Sequence, residues 1–208
     1  MGRRVLTLLL VAGLAIVLTL RAGSCRPARR PGAEPAARSG PQPRPHGDAV
    51  PVDPATITVD DGDTVLIRWP GRDPETVRIL GIDTPEVRHD EHNIPEDQPF
   101  GQEARGFARG AFAAATEVRL LRASKLDPYG RTLGYLFLNG KNYSVLAIRA
   151  RLSDETVSFY GDNGLPEPAA EVTAAARGLP ALGFEPPHAF RKRMRTLSEG
   201  QKAKRREP

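Results

Sequence analysis

Three runs rich in β-branched residues lie close together in the chain: Thr56 to Val59, Thr64 to Trp69 and Thr76 to Ile82. Side chains branched at Cβ crowd the turns of a helix and pack well on a pleated surface. The spacers are turn formers, Asp60-Asp61-Gly62-Asp63 in the first gap and Pro70, Gly71, Asp73 and Pro74 in the second. The pattern predicts a meander of short strands. A change of period follows, with Phe100, Ala104, Phe107, Ala108 and Ala111 at helical spacing across Phe100 to Ala115. Gly106 and Gly110 weaken that helix without abolishing it. Strands are predicted again at Glu117 to Arg122 and at Thr132 to Leu138, the latter ending on the turn Asn139-Gly140. Helices are predicted at Val145 to Arg151 and at Pro168 to Arg177, with Gly178 suited to cap the last.

The order β-β-β-α-β-β-α-α predicts an α+β fold: a five-stranded, partly open Greek-key barrel of the OB type with about three helices. The face of such a barrel commonly receives oligonucleotides. Outside residues 55–180 the composition changes. Arg3 and Arg4 precede an uncharged apolar run from Val5 to Leu20, and Ala22, Gly23 and Ser24 supply the small residues that a signal peptidase reads. Residues 1–24 are therefore expected to be a signal peptide and the protein to be exported, secreted or periplasmic and cell-surface. Retention of the segment as a membrane anchor is the alternative, although the run is shorter than the ~20 residues of a comfortable span. Cys25 would head the cleaved chain, where bacterial lipoproteins are lipidated, but Ala22 replaces the usual Leu. As the only cysteine, Cys25 excludes an intramolecular disulfide. Residues 25–54, rich in Pro and Arg, are expected to be a disordered linker, because they carry too little apolar surface to offset ordering entropy. Residues 181–208 are expected to be a solvated basic tail.

The charge is unevenly placed. Eight Arg face only Glu34 and Asp48 in residues 1–52, and eight Lys or Arg face only Glu199 and Glu207 in residues 191–208. With +5 for the whole chain, residues 53–190 are left at −7. A polyanion would be repelled by that average field, so it needs focused positive groups or metal ions to be held.

Three clusters supply such groups. Asp61 and Asp63 in Asp60-Asp-Gly-Asp-Thr64 are two apart, hence on one side of an extended chain. Arg78 interrupts an apolar strand whose end carries Asp83, Thr84 and Glu86 around Pro85. A charge there is costly unless paired or set on a wet face. Asp127-Pro-Tyr-Gly-Arg131 precedes the last strand. Singly, each also reads as a turn or a solvated strand residue.

Taken together, DGDT, then Arg, then DTPE, then YGR, with FGQEA at Phe100 to Ala104, resemble the staphylococcal-nuclease-like (thermonuclease) family. The resemblance is good from Thr56 to Leu138 and fades through Arg177. It implies a calcium-dependent nuclease acting on DNA or RNA and leaving 3′-phosphates. It implies that Asp63, Asp83 and the backbone carbonyl of Thr84 hold Ca2+, a hard ion that takes oxygen ligands, with Asp61 behind them. It implies that Glu86 orients or deprotonates water and that Arg78 and Arg131 clamp the phosphate, guanidinium forks matching two phosphate oxygens. Tyr129 would contact the neighbouring phosphate, and Tyr160 would offer a ring for base stacking. Pro128 departs from the lysine of the best-known members. His89 and His92 read as exposed loop histidines. The alternatives are a non-catalytic OB-type module that binds nucleic acid at the cell surface, or a surface protein whose basic tails hold anionic polymers. No protein partner is inferable.

Overall fold

The computed structural model describes residues 46–204. The expected leader at residues 1–24, Cys25, most of the expected linker and residues 205–208 lie outside the described residues. In chain order the strands are β1 (Ala49–Val52), β2 (Ile57–Val59), β3 (Thr64–Ile67), β4 (Glu75–Ile79), β5 (Ile82–Asp83), β6 (Val118–Leu126), β7 (Thr132–Leu138), β8 (Lys141–Asn142) and β9 (Asp154–Glu155). The helices are α1 (Gly101–Ala113), α2 (Tyr143–Arg149), α3 (Val157–Tyr160), α4 (Pro166–Ala176) and α5 (Pro187–Lys204). No helix among the described residues is long and apolar enough to cross a membrane.

The main sheet runs β1-β6-β7-β4-β3-β2, with β8 added on β7, while β5 pairs separately with β9. Only the β4–β7 pairing is parallel, as the intervening α1 and β6 permit. All five expected strands are present and contiguous, and the mixed α+β arrangement is that of an OB-type fold. The predicted run Thr76 to Ile82 is broken in two, because the turn at Leu80-Gly81 needs a positive φ, +81° at Gly81. Alternation in β4 decides what faces inward: Val77 and Ile79 are buried in the core, and Arg78 falls on the other face. The core continues through Val65, Ile67, Leu120 and Leu136 to Tyr143, Phe112 and Val172 on the helices.

Glu75 shares the inward face of β4 and is matched by a fully buried arginine. Arg122 Nε and Nη2 donate to its two oxygens at 2.7 and 2.6 Å, and Thr132 Oγ1 and Trp69 Nε1 add bonds of 2.6 and 2.8 Å. Burial would raise the Glu75 pKa, but the Arg122 and Thr132 hydrogen bonds outweigh it and hold the carboxyl below its usual value. That contribution to stability is present above the unfolded pKa and is lost as pH falls through the folded one. Glu75→Ala is expected to cost about 3–5 kcal/mol, because it strands a buried guanidinium. Urea unfolding at pH 7 measures it, and a loss under about 1 kcal/mol would contradict this account of the pair.

Two expected boundaries are corrected. The linker expected to run to residue 54 ends earlier, since β1 pairs Val50 with Leu120 and Val52 with Val118, burying Val52. Pro51 is tolerated because β1 is an edge strand. The tail expected at 181–208 folds over most of its length as α5. Phe190 and Met194, four residues apart, are fully buried with Ile94, and Phe184 packs against Phe100 in a tilted pair with ring centroids 5.7 Å apart. Helix α5 also adds six Lys or Arg against Glu199 to the folded unit, offsetting most of the −7 counted for residues 53–190.

Candidate active site

The loop between β2 and β3 is fixed by its own side chains. Asp61 Oδ1 accepts from the Asp63 amide at 3.0 Å, and the Tyr143 hydroxyl donates to the Gly62 carbonyl at 2.7 Å. A Cβ on Gly62 would lie 2.7 Å from Thr84 Oγ1, so this position has no room for a side chain. Asp63 is thereby brought against the end of β5. Its Oδ2 accepts from the Thr84 amide and hydroxyl at 2.8 and 3.0 Å. Arg78, projecting from the outer face of β4, bridges the two acids: Nη1 pairs with Asp63 Oδ1, and Nη2 with Asp83 Oδ1 at 2.8 Å.

Glu86 follows on the turn after β5, and its backbone is clamped on both sides. Gln98 Oε1 accepts from its amide at 3.1 Å, and the Gln98 amide donates to its carbonyl at 2.9 Å. Gly101, at the start of α1, presses on the same carbonyl, which a Cβ there would meet at 2.1 Å. Arg131 leaves the turn before β7. Its Nε donates to Asp127 Oδ2 at 2.6 Å, and its guanidinium lies 5.6 Å from the centre of the exposed Tyr129 ring. Among the described residues its two terminal nitrogens have no hydrogen-bond partner, and Arg131 borders a hollow.

These groups share one hollow of about 740 Å3, lined by Asp63, Arg78, Asp83, Glu86, Tyr129, Arg131 and Tyr160. Of the residues singled out in the sequence, only Thr84 does not line it; the Thr84 side chain is spent on holding Asp63. Tyr129 and Tyr160 are exposed at the rim.

The local charges polarise one another. Burial would raise the Asp63 pKa, but the Arg78 charge and the Thr84 hydrogen bonds hold it below the usual value. Burial pushes Asp61 well above the ordinary carboxylate range, helped by the charge of Asp63. Burial likewise raises Glu86; Arg191 opposes the shift and Asp63 adds to it.

Sequence reasoning missed two features. Arg191, on the first turns of α5, sets Nη1 and Nη2 on the two oxygens of Asp83 at 2.9 Å each, and Nη1 also meets Glu86 Oε1 at 2.5 Å. The available signal was Phe190, Met194 and Leu197, apolar residues at helical spacing in a basic run. Second, Asp60, Asp61 and His89 bring potential ligand atoms within 4.8 Å of one another beside the same hollow.

The donor set fits a hard divalent ion. Asp63, Asp83 and Glu86 offer only carboxylate oxygens, and a guanidinium is already seated as a stand-in cation among those of Asp83 and Glu86.

Comparison with known proteins agrees with this geometry. Residues 76–167 match the family model of staphylococcal nuclease homologues. The chain is 37% identical over 106 residues to the thermonuclease of Staphylococcus intermedius, covering 50% of this chain and 59% of the relative. It is 36% identical over 108 residues to the thermonuclease of Staphylococcus hyicus, covering 51% and 60%. It is 28% identical over 101 residues to endonuclease YncB of Bacillus subtilis, covering 47% and 46%. The chain thus spans about half to three-fifths of the length of these curated relatives. Arg78, Asp83, Glu86, Tyr129 and Arg131 lie inside the matched span, whereas Asp63 and Arg191 lie outside it. With an OB-type fold and this cluster on its face, residues 76–167 are similar to the staphylococcal nuclease homologues.

Proposed function

We propose that this protein is a calcium-dependent nuclease that hydrolyses phosphodiester bonds in DNA or RNA, leaving 3′-phosphates with a 5′-hydroxyl as leaving group. The observation that carries the reading is the convergence of Asp63, Asp83 and Glu86 with Arg78 and Arg131 on one hollow whose rim carries Tyr129 and Tyr160. Its relatives named as nucleases support the same class of reaction.

In this reading Asp63 and Asp83 would hold the ion, and Thr84, which does not line the hollow, serves by fixing Asp63. The ion supplies Lewis-acid stabilisation of charge building on a phosphate oxygen. The Thr84 amide and hydroxyl fix the Asp63 carboxylate in one orientation, so it needs no reorganisation when substrate arrives. Arg131 offers its two free terminal nitrogens to the phosphate as a fork. Arg78, paired with Asp63 and Asp83 and lining the same hollow, would offer its guanidinium to the phosphate. Glu86, more basic than an ordinary carboxylate through burial, accepts a proton from the attacking water. Tyr129 and Tyr160 seat the flanking nucleotides, since a base can stack on an exposed ring.

We further propose that the chain acts outside the cytoplasm, exported through residues 1–24 or held at the membrane by them. The test of the activity is incubation of the full chain with single-stranded DNA and RNA in calcium and in chelator, followed by end-group analysis. Cleavage in calcium with 3′-phosphate ends is expected. Undiminished cleavage in chelator, or 5′-phosphate ends, would overturn the assignment.

A further inference from the structure

From Arg191 we infer that α5 supplies a resident counter-cation to the metal pocket, which a divalent ion must displace before the site can load. The inference rests on the reading of Asp63 and Asp83 as ion ligands. It goes beyond that reading in giving a helix outside the matched residues 76–167 control over ion affinity.

The geometry makes the two occupants exclusive. Arg191 places nitrogens 2.9 Å from both oxygens of Asp83 and 2.5 Å from one oxygen of Glu86. A calcium ion takes oxygen ligands at about 2.3–2.6 Å and fills the space around them with 6–8 donors. No such shell can form on Asp83 while a guanidinium fork covers both of its oxygens.

The fork is held from behind. Phe190 and Met194, flanking Arg191 on α5, are fully buried against Ile94, and Gln98 Nε2, on the loop that also clamps Glu86, donates to the Glu185 carbonyl just before α5. Farther along, Ser198 and Lys202 reach Asn93 on that loop. The Arg191 side chain is itself a quarter exposed and borders the hollow. It can therefore swing off Asp83 through its own torsions while the helix stays docked. In the swung position it adds a guanidinium to a hollow already lined by Arg78, Arg131 and Arg195.

The consequence is thermodynamic. A ligand whose binding-competent state is only partly populated binds more weakly by that fraction. Charge-assisted, forked contacts of this kind are among the stronger side-chain interactions. The open pocket is therefore the minor state without the ion, and Arg191 weakens the apparent calcium affinity by the fraction of chains that are open.

The test is calorimetric titration of calcium into the full chain, comparing wild type, Arg191→Gln, Arg191→Lys and, as a control that keeps the cation over the Phe190 ring, Arg193→Lys. Arg191→Gln is expected to bind calcium about tenfold more tightly or better. Arg191→Lys should fall between it and wild type, because a point charge cannot cover both oxygens. Arg193→Lys should match wild type. Equal or weaker binding by Arg191→Gln, with wild type binding normally, overturns the displacement model and leaves the ion site standing. Absence of calcium binding in both overturns the ion site and the displacement model together. If Arg191→Gln does not fold, Arg191→Lys decides, and unchanged affinity in it contradicts the inference.

Discussion

Arg131→Lys is expected to lower turnover by about 10²–10³-fold while leaving the fold intact. Arg131 sits on a turn with its side chain 30% exposed, and its only polar side-chain contact is one bond to Asp127, so little stability rests on it. Tm is expected to change by no more than about 3 °C. What lysine cannot reproduce is the planar pair of terminal donors that Arg131 brings to the edge of the hollow. The positive charge survives; the fork does not. Arg78→Lys tests the same idea at the other guanidinium, but there the variant also disturbs Asp63 and Asp83, so Arg131 is the cleaner position. Single-turnover cleavage rates measure both. Near-wild-type rates in the two variants would remove the arginine clamp from the mechanism.

Glu86→Gln is expected to lower the cleavage rate by about 10²–10⁴-fold with calcium affinity changed only severalfold. The substitution keeps the shape, and the clamps on the backbone by Gln98 and Gly101 hold the residue in place. The proton-accepting carboxylate is lost, and with it the charge that Arg191 Nη1 meets. A collapse of calcium binding in Glu86→Gln would instead make Glu86 an ion ligand. Measuring ion affinity beside the rate separates the two roles.

Much of this site was legible in the sequence because its residues come from short stretches with strong local signals. The β-branched runs set the register that turns Arg78 away from the core, and Gly62 and Pro85 mark the turns that carry Asp63 and Asp83 to a common point. Long-range polar pairing gave no comparable signal. Glu75 stands just before the predicted run Thr76 to Ile82 and Arg122 at the end of Glu117 to Arg122, 47 positions apart, and only the sheet brings them together inside. Edge strand β1 was hidden because Pro51 and its Arg-rich surroundings mask Val50 and Val52. Helix α5 was hidden for a related reason: two buried side chains, Phe190 and Met194, anchor a run whose other residues are mostly charged or polar. With α5 went Arg191, whose contact with Asp83 spans 108 positions.

The central claim is that Asp63 and Asp83 form a cation site at the floor of a phosphate-binding hollow. It is tested most directly by locating calcium through its anomalous scattering in crystals of the full chain. The account predicts a single strong peak about 2.3–2.6 Å from carboxylate oxygens of both Asp63 and Asp83. A peak confined to Asp60, Asp61 and His89, with Asp83 still covered by Arg191, would contradict it.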